Sequence, residues 1–361
     1  MDKTESAQVE LIRIFCILSM MWVHVSPGLS VPSLVSGGAL DGVGQFLGNG
    51  LGRISVTTLS FISGYLFWLT AANRSLRDVV RRLALSIYLP TLTWSGVYIL
   101  LTLAKTRLFG LESTSPDVMI GSLWDGFNAW TGLTAPTANL SLFFIRDLIV
   151  STLVMYVCFP LLNRAPWLVV LIVLPLALFD SLGPILFRPQ ILIFVTLGAA
   201  SARAGLTIPQ LSAPRIAFPC GFVLVVSANL LASRFPDVRH HDVTHDLLGR
   251  AGLGFFILAA TQALLITMKG WAYTHISRHC FLAYLFHVPV IGVLWVVWQR
   301  WIGGPQDPSY ILFYLTMPPV IMFIALTCGR VLDLAPNGIQ ILLRGKTVAA
   351  AKPDIVAVVP R

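Results

Sequence analysis

Apolar runs close to the length of a membrane crossing recur along this chain, separated by short polar segments. A helix that crosses a bilayer needs roughly 20 mostly apolar residues. Composition points the same way: 56% of the 361 residues are hydrophobic and 11% are charged, where a soluble domain carries roughly 25% charged residues. So little charge cannot coat a globule of this size, and lipid becomes the solvent. Only helices and closed barrels satisfy their backbone groups in hydrocarbon. The runs are continuous and do not alternate, which selects helices. The expected fold is all-α, a polytopic transmembrane helical bundle of about ten helices. Spans are expected near 8–25, 52–72, 83–104, 140–161, 167–184, 190–203, 216–233, 247–268, 280–299 and 310–330. Residues 1–335 read as one transmembrane domain and 336–361 as a cytoplasmic tail. Internal repeats, common in secondary transporters, are not evident.

The net charge of +9 raises nucleic acid as a partner, but no basic patch interleaved with aromatics supports it. The basic residues sit between the apolar runs, as the positive-inside rule describes. With the N-terminus in the cytoplasm, fifteen of the 25 Lys and Arg residues fall inside and nine outside. Both termini are therefore expected in the cytoplasm. The five cysteines lie in or beside apolar runs without CxxC spacing, so a disulfide framework is not expected. The run from Leu11 to Val25 follows Asp2, Glu5 and Glu10 and precedes no A-x-A site. It reads as a retained first helix, not a signal peptide.

The remaining basic residue is Arg13, inside that first helix. Arg13 and His24 are eleven residues apart. At 100° per residue this is within about 20° of three turns, so both occupy one face, ~16 Å apart along the axis. Glu10, three residues before Arg13, shares that face. Charge inside a span is costly unless it meets protein or water, so the stripe is expected to face the bundle interior. Arg13 suits a phosphate or carbonyl of a cytosolic donor. His24 suits proton abstraction from a hydroxyl near pH 7. An Arg–Glu pair at the membrane edge plus a hydrogen-bonded histidine explains the same residues, and the helix alone leaves both readings open.

His240, His241 and His245 have partial metal-ligand spacing, but the HExxH glutamate is missing. They read as solvated loop histidines, and no metal site is expected.

Five segments, in order, resemble the acyltransferase-3 family of bacterial membrane O-acyltransferases. They are Glu10 with Arg13 and His24, Phe61-Ile-Ser-Gly-Tyr65, and Arg81-Arg82 running to Pro90 and Trp94. The fourth is Leu142-Phe-Phe-Ile-Arg146-Asp147-Leu148 with Tyr156 and Pro160, and the fifth is Phe281 to His287. The resemblance implies transfer of an acyl group, usually acetyl from acetyl-CoA, to a hydroxyl of a cell-surface or lipid-linked glycan. Exopolysaccharide and O-antigen of lipopolysaccharide are the favoured acceptors, and the bacterial inner membrane is the implied location. No cofactor is expected to be bound, since acyl-CoA is a substrate. His24 is then the general base or a transient acyl carrier, with Arg13 and Glu10 beside the donor. Arg77, Arg81 and Arg82 are cast on the coenzyme A phosphates, and Ser63 and Tyr65 on a donor tunnel. Arg146, Asp147 and His287 are cast near the acceptor. Some relatives add an SGNH esterase-like domain, for which this chain has no room, so the membrane domain or a partner is expected to complete transfer. Intramembrane Arg, Glu and His also suit a proton-coupled transporter or a lipid-linked sugar flippase, which is the competing reading.

Overall fold

The computed structural model describes residues 1–25, 39–71, 74–109, 122–179, 182, 183, 185–234, 239–267, 270–304 and 307–347. Among them are helices and turns and no strand. The first third holds α1 (Lys3–His24), α2 (Ala39–Gly44), α3 (Arg53–Ala71), α4 (Leu76–Leu83) and α5 (Leu89–Phe109). Two π-helical segments, Gln45–Gly52 and Ala84–Tyr88, lead into α3 and α5. Next come α6 (Leu123–Thr131), α7 (Phe143–Val157), α8 (Phe159–Arg164), α9 (Pro166–Leu178) and α10 (Pro189–Arg203). The last third holds α11 (Ile208–Ser212), α12 (Pro214–Arg234), α13 (Arg239–Thr267), α14 (Gly270–Trp301), α15 (Tyr310–Asp333) and α16 (Asn337–Arg344).

Each expected span falls on a helix. Seven segments among the described residues are long and apolar enough to cross a membrane. The spans expected near 52–72, 167–184 and 190–203 fall on α3, α9 and α10, which are not among the seven. Helices α9 and α10 are short, at 13 and 15 residues, and α3 carries a run of hydroxyls. Ser55, Thr57, Thr58 and Ser60 lower its hydropathy, yet each hydroxyl donates to a carbonyl three or four residues back, on Leu51, Ile54, Ile54 and Val56. All four side chains are buried. A helix that meets protein and not lipid tolerates such hydroxyls because its own backbone satisfies them.

Contacts fix which way the helices run. Asp2 caps α1, accepting the Glu5 N–H at 2.7 Å. The Tyr65 hydroxyl donates to the buried Glu5 carboxylate at 2.5 Å, so α3 ends where α1 begins. Arg53 and His24 share a cavity at the opposite end. The Arg203 guanidinium lies 5.8 Å from the Trp68 ring, while Arg188 lines the His24 cavity, so α10 runs with α3. These two helices cross at small residues. A Cβ on Gly64 would fall 1.9 Å from the Val195 carbonyl oxygen, and one on Gly198 1.9 Å from that of Phe61. Glycine is what permits that approach.

The segment from Lys105 to Asn139, rich in Gly, Thr, Ser and Pro, reads on the sequence as the longest outer segment. The start of its helix α6 is exposed, while the end of α6 and residues 137–139 pack against the bundle. A Ser122–Asp125 capping box starts α6. Trp130 then donates its indole N–H to the Leu92 carbonyl at 2.9 Å, and Thr137, Ala138 and Asn139 are buried. Residues 110–121 lie outside the described residues, as do the side chains of His240, His241 and His245. The segment after Asp333 also packs back. Arg344 is buried and pairs with Asp333 and Gln340. Trp94 donates to the Leu343 carbonyl at 3.0 Å. Gly345 closes α16 at φ 73°, with no room for a Cβ against Ser86.

Candidate functional site

The candidate site is strung along α1, on the side that meets α14. Leu11, Ile12 and Ile14 are buried, yet Arg13 keeps solvent-accessible surface. Its side chain is exposed to solvent while its neighbours on α1 pack inward. Its electrostatic neighbours are Glu10 on α1, the Cys280 thiol on α14, and Lys346 just past α16. Burial, with the added repulsion of Arg344, Arg13 and Arg278, lowers Lys346 to about 8.

At the other end of α1, His24 lines a cavity of 440 Å³. Its ring centroid lies 5.2 Å from that of His287 on α14. Arg13 thus lies within electrostatic range of Cys280 and His24 stands against His287, and both partners belong to α14. The Nδ1 of His287 is 2.6 Å from the Tyr284 carbonyl. A carbonyl only accepts, so Nδ1 carries the proton in neutral His287 and Nε2 keeps a lone pair. That Nε2 is buried and has no hydrogen-bond partner. Tyr284 is itself fixed by donating to the Ser141 carbonyl at 2.5 Å. The segment 122–142 therefore sets the α14 side of the chamber. Pro136, Leu140 and Ser141 from this segment also line the cavity.

The remaining sequence candidates are spread over both ends. Tyr65 joins α3 to α1 through Glu5, which also accepts the Ile208 N–H at 3.1 Å. Ser63, two residues earlier on α3, is half-buried. Arg77, Arg81 and Arg82 are exposed on α4, beside the π-helical segment that receives Gly345. Asp147 is fully buried. It accepts the backbone N–H groups of Phe187 and Arg188 at 3.2 and 2.8 Å, and pairs with Arg146 at 2.8 Å. Arg146 also donates to the Ile185 and Leu133 carbonyls and lies 3.9 Å from the Phe187 ring. The pair clamps the connector into α10, which delivers Arg188 to the His24 cavity. Arg146 additionally borders a second, mostly apolar cavity of 320 Å³ between α4, the π-helical segment after it, the end of α6 and α7.

Sequence reasoning overlooked two groups. Arg53, Arg188 and Arg250 line the His24 cavity, whereas on the sequence they counted only as outer charges. Their position against the positive-inside bias was the available signal. Lys346, placed in the tail, comes within electrostatic range of Arg13, and nothing in its local sequence announces that.

Comparison with known proteins agrees with this architecture. The succinoglycan biosynthesis protein ExoH of Rhizobium meliloti (strain 1021) is 29% identical over 360 residues, covering 97% of this chain and 95% of that protein. No solved structure matches. A family profile described as an acyltransferase domain matches residues 6–332. The chain, a multi-pass membrane protein by its helices, is therefore an enzyme of the acyltransferase-3 family.

Proposed function

We propose that this enzyme moves an acyl group, acetyl in the simplest case, from cytosolic acyl-CoA to a hydroxyl of an exopolysaccharide or its lipid-linked precursor. It does so in the bacterial plasma membrane, with both termini cytoplasmic. The observation that carries the reading is the arrangement of α1, with a solvent-accessible cation at one end and an imidazole on a cavity wall at the other. The ~16 Å between them is a distance an extended phosphopantetheine arm spans. Arg13 and Lys346 hold donor phosphates at the cytoplasmic end, with Arg77, Arg81 and Arg82 on the approach. The thioester then reaches the His24 chamber.

There the acceptor hydroxyl gives its proton to His24 as its oxygen attacks the thioester carbonyl carbon. The C–O bond forms, the C–S bond breaks, and the proton passes to the departing thiolate. Neutral His287, its ring 5.2 Å from that of His24 and its Nε2 unpartnered, can accept from the His24 ring when that ring turns toward it. The glycan assignment leans on the relative's role in succinoglycan biosynthesis. Orientation leans on the fifteen-to-nine excess of Lys and Arg in the segments assigned to the inside. Purified full-length protein in detergent, given acyl-CoA and a glycan acceptor, is expected to release free CoA and yield acylated glycan by mass spectrometry. Glycan transport without CoA release would instead favour a carrier.

A further inference from the structure

The charge around the His24 cavity is greater than transfer of a neutral acyl group to a neutral sugar requires. Three guanidiniums converge there from separate parts of the chain. Arg53 opens α3, Arg188 precedes α10, and Arg250 lies in α13. They are close enough that Arg53 and Arg188 both act on Arg250 electrostatically. One carboxylate offsets them. Asp246, one turn before Arg250, pairs with it at 2.6 and 2.7 Å. Asp147 is nearby but fully buried, and is engaged by Arg146 and two backbone N–H groups. Arg188 turns its guanidinium over the Phe143 ring, 5.2 Å away. Arg53 and Arg188 have no carboxylate partner among the described residues.

Like charges gathered on a cavity repel one another unless an anion joins them. Guanidinium is the side chain best shaped to hold a carboxylate or phosphate in a fork. A cavity of 440 Å³ lies within the usual size range of small-molecule sites. We propose that the His24 chamber is an anion site in which Arg53, Arg188 and Arg250 hold a carboxylate or phosphate borne by a reactant. Two reactants can bring that chemistry: a dicarboxylic acyl group through its distal carboxylate, or the glycan through an acidic substituent or its lipid diphosphate. The inference rests on the acyltransferase reading and deepens it.

The test uses full-length protein in lipid nanodiscs, with two matched comparisons. The acyl arm compares succinyl-CoA with acetyl-CoA. The glycan arm compares an acid-bearing or diphosphate-linked saccharide with its neutral counterpart. Arg53→Gln and Arg188→Gln are each expected to lower kcat/KM at least tenfold for the charged member of one pair, with a much smaller loss for the neutral member. The arm that responds identifies the source. Equal losses for charged and neutral members in both arms overturn the proposal, as does no loss in either.

A second readout does not need turnover. Phenylglyoxal labelling of Arg53 and Arg188, followed by mass spectrometry, is expected to slow when succinate or inorganic pyrophosphate is added. Labelling that neither anion slows also overturns the site. A parental protein that transfers no acyl group while its arginines are protected would sink the acyltransferase reading and leave the anion site standing.

Discussion

The two ends of α1 are both basic, but they are built differently. At the Arg13 end the charges form a braced lattice. Asp333 accepts from Arg278 and Arg344, and Arg344 is tied further to Gln340 and the Lys346 carbonyl. Helix α16 and the glycine after it lock that lattice against α5 and the π-helical segment before it. At the His24 end, Arg53 and Arg188 stand at an open cavity, with Asp246 tied to Arg250. The difference separates holding from reacting. A braced cation cluster suits a large constant group such as a nucleotide, which must bind the same way in every turnover. An open chamber with a free imidazole lone pair suits the step in which bonds change.

That division predicts which kinetic constant each end controls. The largest effect belongs to His24→Ala. Removing a general base is expected to lower kcat by roughly 10²–10⁴-fold, with the donor KM little changed and the protein still present in membranes by immunoblot. Near-normal turnover in this variant would end the base assignment. Arg13→Ala is expected to act on the other constant. Losing one charge-assisted phosphate contact costs about 1.5–3 kcal/mol, so the acyl-CoA KM should rise roughly ten- to a hundredfold while kcat at saturating donor holds. If Arg13→Ala lowers kcat alone, the two ends are not divided in this way.

Much of this division was legible in the sequence, and the part that was not has a physical cause. Arg13, Glu10 and His24 lie on one helix, where a fixed 100° per residue converts spacing into geometry. The apolar runs could be found because burial in lipid demands continuous hydrophobicity. Spacing along one helix carries no information about a neighbour that arrives from far along the chain. Arg188 reaches the chamber because Asp147, some forty residues earlier, captures its backbone N–H. Lys346 reaches Arg13 because Asp333, Gln340 and Trp94 dock the segment that carries it. The docking of 122–142 against the bundle was hidden for a similar reason. Its Gly, Thr, Ser and Pro content describes a loop equally well whether the loop is solvated or packed.

His287 gives a smaller and more specific test of the chamber. His287→Phe keeps an aromatic ring and removes both ring nitrogens, the Nδ1 donor to Tyr284 and the Nε2 lone pair. If that lone pair orients the His24 imidazole, kcat should fall roughly three- to tenfold, as befits one hydrogen bond of about 1 kcal/mol. His287→Gln returns an acceptor oxygen and is expected to recover part of the loss. A loss of equal size in both variants would assign His287 to packing alone.

The smallest effect is also the one that distinguishes the braced end from a mere anchor. Lys346 sits outside the membrane spans with its pKa lowered to about 8 by burial and by its arginine neighbours, against about 10.4 for a free lysine. Below about 8 it is charged and available to a donor phosphate. As pH rises through 8 the charge is lost, so the acyl-CoA KM should rise a few-fold between pH 7 and 9. Stability moves the opposite way. Between about 8 and 10.4 the unfolded chain binds a proton that the folded protein has released, so folding becomes more favourable as pH rises through that window. Weaker donor binding in a more stable protein separates loss of a ligand contact from general alkaline damage. Lys346→Arg keeps the charge throughout this range and should flatten the KM profile, whereas Lys346→Met should hold KM high at both ends. A wild-type profile without an inflection near pH 8, or one that survives in Lys346→Arg, would mean that the docked segment braces the bundle without touching the donor.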